Sequence, residues 1–251
     1  MDLDRSTASQ QSWNISLNWF RECQENHEVC RIKNSEGWQP TRLLDVGENN
    51  SPIVKLHVSK EYPDTYGYPY VTPSHCWGKT KTVSLLHDNI EATKRGIPID
   101  TLPKTFQEPI AITRRLNQRF LWIDSLCIIQ DSAKDWQVES ATMESVYGFS
   151  LLNIAATASS NGTEGCFRDR NPLLAQTCVV KDVEWPWSSG KHYLYHSMFW
   201  SMGMKYAPLI NRPWVVQERS LHREFYISGK INYIGNAIRK ILAKLSPLVC
   251  L

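Results

Sequence analysis

Several common signatures are missing from this chain of 251 residues, and each absence removes a class of function. No run of apolar residues approaches the roughly 18 needed to cross a bilayer, so no membrane span is expected. The first residues, MDLDRSTASQQ, lack the apolar core of a secretory signal. Neither G-x-G-x-x-G nor a P-loop occurs, so Rossmann-type dinucleotide binding and nucleoside triphosphate hydrolysis find no support. Charge of one sign is scarce: 28 Lys and Arg against 25 Asp and Glu leave a net charge of +3. That is too little to argue for a nucleic-acid partner or an anionic membrane surface. Seven cysteines, at 23, 30, 76, 127, 166, 178 and 250, are scattered and odd in number. They suggest reduced thiols and a cytoplasmic protein. Cys250-Leu251 does not fit a prenylation box, and no internal repeat is visible.

What is present describes a globular chain, 42% hydrophobic and 21% charged, with ten Trp that read mainly as core packing. Residues 1–12 are polar and expected to be disordered. Residues 13–30 suggest a helix with Ile15, Trp19 and Cys23 spaced by four. Cys23, His27 and Cys30 have ligand types and spacing suited to zinc, but no fourth ligand stands nearby, and helix packing is the simpler account. Strands are expected near Arg42 to Val46 and over 53–58. Another, at Tyr70-Val71, leads into Ser74, His75, Cys76 and Trp77, closed by Gly78. This segment suits either a ligand loop at the carboxyl end of a strand or a tight packed turn. Pro73 lacks a ladder donor, so its strand should end early or lie at an edge. Thr105 to Glu108 has the form of a capping box, and Phe106, Ile110, Thr113 and Leu116 form a helical stripe. Arg114, Arg115 and Arg119 are expected to be solvated.

The stretch from Arg119 to Tyr147, RFLWIDSLCIIQDSAKDWQVESATMESVY, is the most informative. An apolar run, Phe120 to Ile123, ends on Asp124 and Ser125; a second, Leu126 to Ile129, ends on Gln130. Asp131-Ser132 with Asp135 starts a helix whose stripe is Trp136, Ser140, Met143 and Tyr147. Glu139 lies on or beside that stripe. Held against Trp136 and Met143, its carboxyl would be pushed up by desolvation, a frequent mark of a functional site. Ser150 to Ala158 reads as a buried strand. Strand and helix alternate from 70 to 158, as in a parallel sheet flanked by helices. Further along, His192 and His196 stand four apart, a weak metal signal if helical. Gln217, Glu218 and Arg219 form a polar cluster in which Arg219 suits a carboxylate or phosphate, or a structural salt bridge. Ile234, Ala237, Ile238, Ile241, Leu242 and Leu245 suggest a basic amphipathic helix.

Five blocks occur in one order: TPSHCWG at 72–78, LPKTFQEPI at 102–110, the central stretch, GCFRDRNP at 165–172 and RPWVVQERSL at 212–221. With WFRECQENHEVC and PTRLLDV before them, they resemble the fungal heterokaryon incompatibility (HET) domain. The resemblance covers roughly residues 19 to 225, departing at Pro73 and Pro213. It implies an α/β fold with a parallel central sheet flanked by helices, a TIR- or flavodoxin-like core with irregular additions. The expected division is a helical and turn-rich extension over 1–52, the domain over 53–228 and an amphipathic tail over 229–251.

The resemblance also implies a cell-death effector of self/non-self recognition. TIR domains, to which the family is similar in proposed fold, include enzymes that cleave NAD at the nicotinamide–ribose bond through one helical Glu. The matching residue here is Glu139, as the catalytic candidate. Ser74, His75, Cys76, Trp77, Asp124, Ser125, Gln130, Trp136 and Arg219 are candidates for binding substrate. A carboxylate would stabilise the oxocarbenium-like state of that cleavage. NAD would then be substrate, with no cofactor or metal required. The competing class is a non-catalytic domain that self-associates or engages a receptor or incompatibility partner. Glu139 would there be a buried carboxylate paired with an Arg such as Arg114 or Arg219.

Overall fold

The computed structural model describes residues 4–26, 38–78, 83–172 and 207–212, and the strands at 178–180, 192–194, 224–228 and 233–237. The chain begins with helix α1 (Gln10–Asn26), then β1 (Arg42–Asp45), β2 (Ile53–Val58), β3 (Tyr70–Ser74), α2 (Ile90–Arg95), β4 (Ile97–Pro98) and α3 (Lys104–Arg115). There follow β5 (Phe120–Leu121), three short helices, α4 (Asp124–Cys127), α5 (Ala133–Ala141) and α6 (Met143–Gly148), and β6 (Leu152–Ala155). The remaining strands are β7 (Cys178–Val180), β8 (His192–Leu194), β9 (Glu224–Ser228) and β10 (Tyr233–Ala237).

Eight strands form one mixed sheet in the order β10-β9-β6-β3-β5-β1-β2-β4, while β7 and β8 pair separately. The centre is parallel: β3 runs with both β5 and β6, and β6 with β9. Antiparallel strands flank it, β10 on one side and β1 and β2 on the other. The expected α/β architecture, a parallel centre flanked by helices, is therefore present. Helices on both faces explain why the central strands carry no polar alternation. β3 and β6 are buried along their whole length. Leu43, Leu44, Val54, Phe106, Leu121, Ile123 and Ile154 fill the core without measurable exposure.

The connections fix where a ligand could sit. The chain leaves β3, passes through α2, the edge strand β4 and α3 and returns as the adjacent β5; it then leaves β5, passes through α4 to α6 and returns as β6 on the other side of β3. Such crossovers are right-handed almost without exception, so the two sets of helices lie on opposite faces. In open α/β sheets a ligand crevice is expected outside the carboxyl ends of such strands, here those of β3 and its neighbours.

Pro73 sits inside this central strand rather than at an edge. Tyr70 and Ser74 give their carbonyls to Leu151 and Ala156 on the β6 side, and Val71 gives its own to Trp122 on the β5 side. Alternation then turns the Pro73 nitrogen toward β5, where pairing ends at Val71 and Leu121. Pro73 has no donor to offer there, and the pairing with β5 stops.

Other local expectations change in tertiary context. Residues 4–9 are not free: Thr7 donates to the Arg168 carbonyl, and the Arg170 side chain reaches Asp4 and Ser12. The buried face of α1 is Ser12, Trp13, Ser16 and Cys23, so only Cys23 of the expected stripe is on it. Thr105 and Glu108 do not cap α3. Thr105 bonds the Gly162 carbonyl, and the Glu108 carboxylate accepts from the amides of Cys166 and Phe167. Arg114, Arg115 and Arg119 all find partners: the Val46 carbonyl, the Trp13 ring and Asp45 respectively. His192 is on a strand, which removes the helical pairing with His196. Ile234 and Ala237 also lie on a strand, not on the expected helix; residues 238–251 lie outside the described residues.

Candidate functional site

Two polar groups stand at the carboxyl end of the parallel strands. The first lines the crevice. β3 ends at Ser74, whose hydroxyl bonds the Asn153 side chain of β6 and is fully withdrawn. His75, Cys76 and Trp77 then turn away, and Gly78 closes the turn at φ +69°. A Cβ on Gly78 would lie 2.6 Å from that of Asn161, so glycine is needed where this turn meets the loop after β6. The half-buried Trp77 donates its indole N–H to Asp124 Oδ2 at 3.0 Å, which ties the end of β3 to the end of β5. Asp124 Oδ1 accepts the Ser125 amide at 2.7 Å. Gln130 turns back to the carbonyls of Asp124 and Ile128.

Arg212 joins this group; it opens the block RPWVVQERSL, but within that block the polar cluster marked Arg219 and not Arg212. The turn at Pro208–Asn211 is seated on the end of β6 by the Leu209 amide, which donates to the Thr157 carbonyl at 3.3 Å. The Arg212 guanidinium then donates to the His75 carbonyl. His75 itself is buried edge-on against Phe106. Burial holds its pKa below the usual histidine value; Asp124 opposes that and Arg212 adds to it. Among the described residues, His75 Nε2 and Ser125 Oγ are buried without a hydrogen-bond partner.

The second group is a seam between β1 and α5. Glu139 is 3% exposed and is the buried residue of its helix. The apolar stripe expected beside it does not form: α5 and α6 break at Thr142, and Trp136 is 56% exposed. Glu139 faces Arg42, not Arg114. One Arg42 nitrogen lies 2.5 Å from Asp135 and 3.3 Å from Glu139, and Nε donates to the Cys127 carbonyl at 2.6 Å. Asp135 also accepts the Ile129 amide at 2.8 Å, so it anchors the loop before its helix as well as Arg42. Burial raises the Glu139 pKa; the Thr41 hydroxyl and Arg42 pull it down, and Asp135 pushes it up. Arg42 was missed because its partners are about ninety residues away in sequence.

Ser74, His75, Cys76, Trp77, Asp124, Ser125, Gln130 and Arg212 thus lie around the carboxyl ends of β3 and β5, the first three and Ser125 being buried, while Glu139 is held in a separate ion pair. Trp136 faces outward, and Arg219 lies outside the described residues. Burial pushes the Cys127 thiol up to about 12, so it supplies no thiolate at neutral pH. Among the described residues no cluster of His, Cys, Asp and Glu is placed to hold a metal; His27 and Cys30 lie outside them. No helix among them is long and apolar enough to cross a membrane.

Comparison with known proteins gives one match. A family model described as heterokaryon incompatibility protein (HET) matches residues 70–218. No curated protein matches the chain, and neither does a solved structure. The matched segment covers more than half of the sequence and holds the whole crevice, from Ser74 to Arg212, together with Glu139. The chain belongs to the heterokaryon incompatibility family.

Proposed function

We propose that this protein is a cytoplasmic cell-death effector of fungal self/non-self recognition, and that it signals as a folded module, by self-association or by engaging a receptor partner, without catalysis at Glu139. Family membership supports the first part. The observation that carries the second is the setting of Glu139. A carboxylate that stabilises a developing charge must touch the substrate. Glu139 is instead 3% exposed and spends its charge on Arg42, joining α5 to the first strand of the sheet. A buried pair of this kind is destabilising to break, because it leaves an uncompensated charge.

A second reading is cleavage of NAD at the nicotinamide–ribose bond by a TIR-like site. It is favoured by the half-buried carboxylate of Asp124 at the strand ends, a group of the type that stabilises an oxocarbenium-like state. One experiment separates the two: NAD consumption by purified, assembled protein, with toxicity and melting curves for the wild type and Glu139→Gln. The module reading expects unchanged NAD over hours and a lower melting temperature for the variant. NAD loss by the wild-type protein, whether or not Glu139→Gln stops it, would overturn the module reading.

A further inference from the structure

We propose that the loop over residues 60–69 is a docking surface for a proline-rich peptide that carries a basic residue, with Tyr62, Tyr66 and Tyr68 as contact rings and Asp64 as partner of the basic side chain. The proposal rests on the module reading and names the chemistry of the partner that the module engages. The loop lies at the amino end of the parallel strands, at the far end of the sheet from Asp124, and just before the segment that the family model matches.

The loop joins β2 to β3, and every residue in it but Thr65 is exposed. Tyr62, Tyr66 and Tyr68 are each about half exposed, and they make up half of the exposed large hydrophobic side chains among the described residues. Such a concentration marks an interaction site. Tyrosine suits one, because it offers a rigid ring and a hydroxyl together at a low cost in rotamer freedom.

The rings are held in place before any partner arrives. Tyr62 stacks on His57 with centroids 4.7 Å apart, His57 lies 4.8 Å from Phe120, and Tyr68 lies 6.2 Å from the same Phe120. Two rings of the loop thus rest on one buried pair. The Thr65 hydroxyl donates to the Tyr62 carbonyl and therefore accepts from His57 Nε2, at 2.9 Å. Lys94 of α2 reaches Glu61 at 2.6 Å. A platform already ordered loses less free energy on binding than a loop that must be ordered first.

Donors and acceptors select the occupant. The amides of Tyr62, Thr65, Tyr66 and Tyr68 donate to carbonyls of Ser59 and of the loop itself, and Pro63 and Pro69 have no amide proton. The loop is therefore no template for an added strand. The three tyrosine hydroxyls and the Asp64 carboxylate make no hydrogen bond among the described residues. A polyproline II chain is the complement: its carbonyls have no internal partner and accept from hydroxyls, and its proline rings pack on aromatic faces. A sugar could stack on the same rings, but between Tyr62 and Tyr68 the loop has no side-chain amide or guanidinium to read its hydroxyls.

Charge narrows the peptide further. Asp64 lies between Tyr62 and Tyr66, exposed and without an ion pair among the described residues. Glu61 is taken by Lys94, and Arg119, beside Phe120, is taken by Asp45. Lys60 precedes the run of rings. A basic residue in the peptide meets Asp64, whereas an acidic one meets no cation between the rings.

The test is calorimetric titration of the full chain with a synthetic peptide of repeated Pro-Pro-Arg, the same peptide with Ala for every Pro, and a soluble β-linked glucose oligosaccharide, each taken to millimolar concentration. Saturable binding of the first alone is expected. Tyr66→Ala should weaken it by about tenfold. Tyr68→Phe, which keeps the ring on Phe120 and removes only the hydroxyl, should weaken it by about threefold or more. Asp64→Asn should weaken it and flatten its dependence on salt. A folded wild type that does not bind the proline peptide overturns the proposal, as does equal binding of the alanine peptide or binding that these variants leave unaltered. Binding of the oligosaccharide alone also overturns it and makes the loop a sugar site. If Tyr66→Ala melts early, Tyr68→Phe and Asp64→Asn decide. NAD loss in the earlier assay would overturn the module reading without touching peptide binding, and absent peptide binding with NAD intact would leave the module reading in place.

Discussion

The seam at Glu139 and the crevice at Asp124 sit at the same end of one sheet, each built around a carboxylate, yet they are held in opposite ways. Glu139 is covered and shares a guanidinium with Asp135. Asp124 is only partly buried and is held by neutral donors, an indole and an amide. A charge paired under cover serves the fold, because its partner needs it. A charge held by neutral donors at a rim keeps its field available to something that arrives. Acidity and helical position do not separate these roles; the counter-charge does.

The largest effect should come from the seam. Arg42→Ala leaves Glu139 and Asp135 without their cation and the Cys127 carbonyl without its donor. Unfolding in denaturant is expected to show a loss of about 3–5 kcal/mol. A loss below about 1 kcal/mol, typical of an exposed pair, would place the seam on the same footing as the crevice.

A smaller effect is expected with pH, and the two regions pull in opposite senses. The lowered His75 pKa contributes stability that is present above the ordinary value of 6.5 and is lost as pH falls through 6.5 toward the folded value. The raised Glu139 pKa contributes stability that is present below the ordinary 4.5 and is lost as pH rises through the folded value. Melting temperature should therefore fall between about pH 7 and pH 5.5, with His75→Gln removing part of the fall and His57, also held low by burial, leaving a remainder. A flat profile in the wild type would mean that His75 is not buried in its neutral form.

The smallest effect is expected on the outer face of α5, where Trp136 and Val138 are both more than half exposed. Trp136→Ser should change the stability of the isolated protein by no more than about 0.5 kcal/mol. A loss above about 1.5 kcal/mol, read from the same denaturation curves, would show that this face is covered in solution. It would extend the seam outward into an interface.

Much of the scaffold was legible in the sequence. β1, β2, β3, β5, β6 and the Phe106–Ile110–Thr113 face of α3 stand where apolar patterning put them. The loop at Ser74 to Trp77 and its neighbour Asp124 were also marked, because turn residues directly after apolar strands announce a carboxyl end. The failures share a cause. Thr105 and Glu108 had the spacing of a cap but fasten the loop at 162–167; Pro73 looked like an edge residue but occupies the centre; Trp136 looked like core and faces outward. For Thr105 and Glu108 a partner from a distant segment outcompeted the local pattern, and at Pro73 and Trp136 the placement of whole elements in the tertiary fold overrode it.

The sequence by itself determined the family, the apolar strands of the parallel centre and the residues at their ends. These are properties of spacing and hydrophobicity, which are local and periodic. Only the tertiary structure decided that Glu139 belongs to Arg42, that Arg212 completes the crevice and that Asp124 keeps a rim position. Those assignments depend on which side chain meets which partner across segments 47 to 137 residues apart, and no periodicity along the chain encodes that distance.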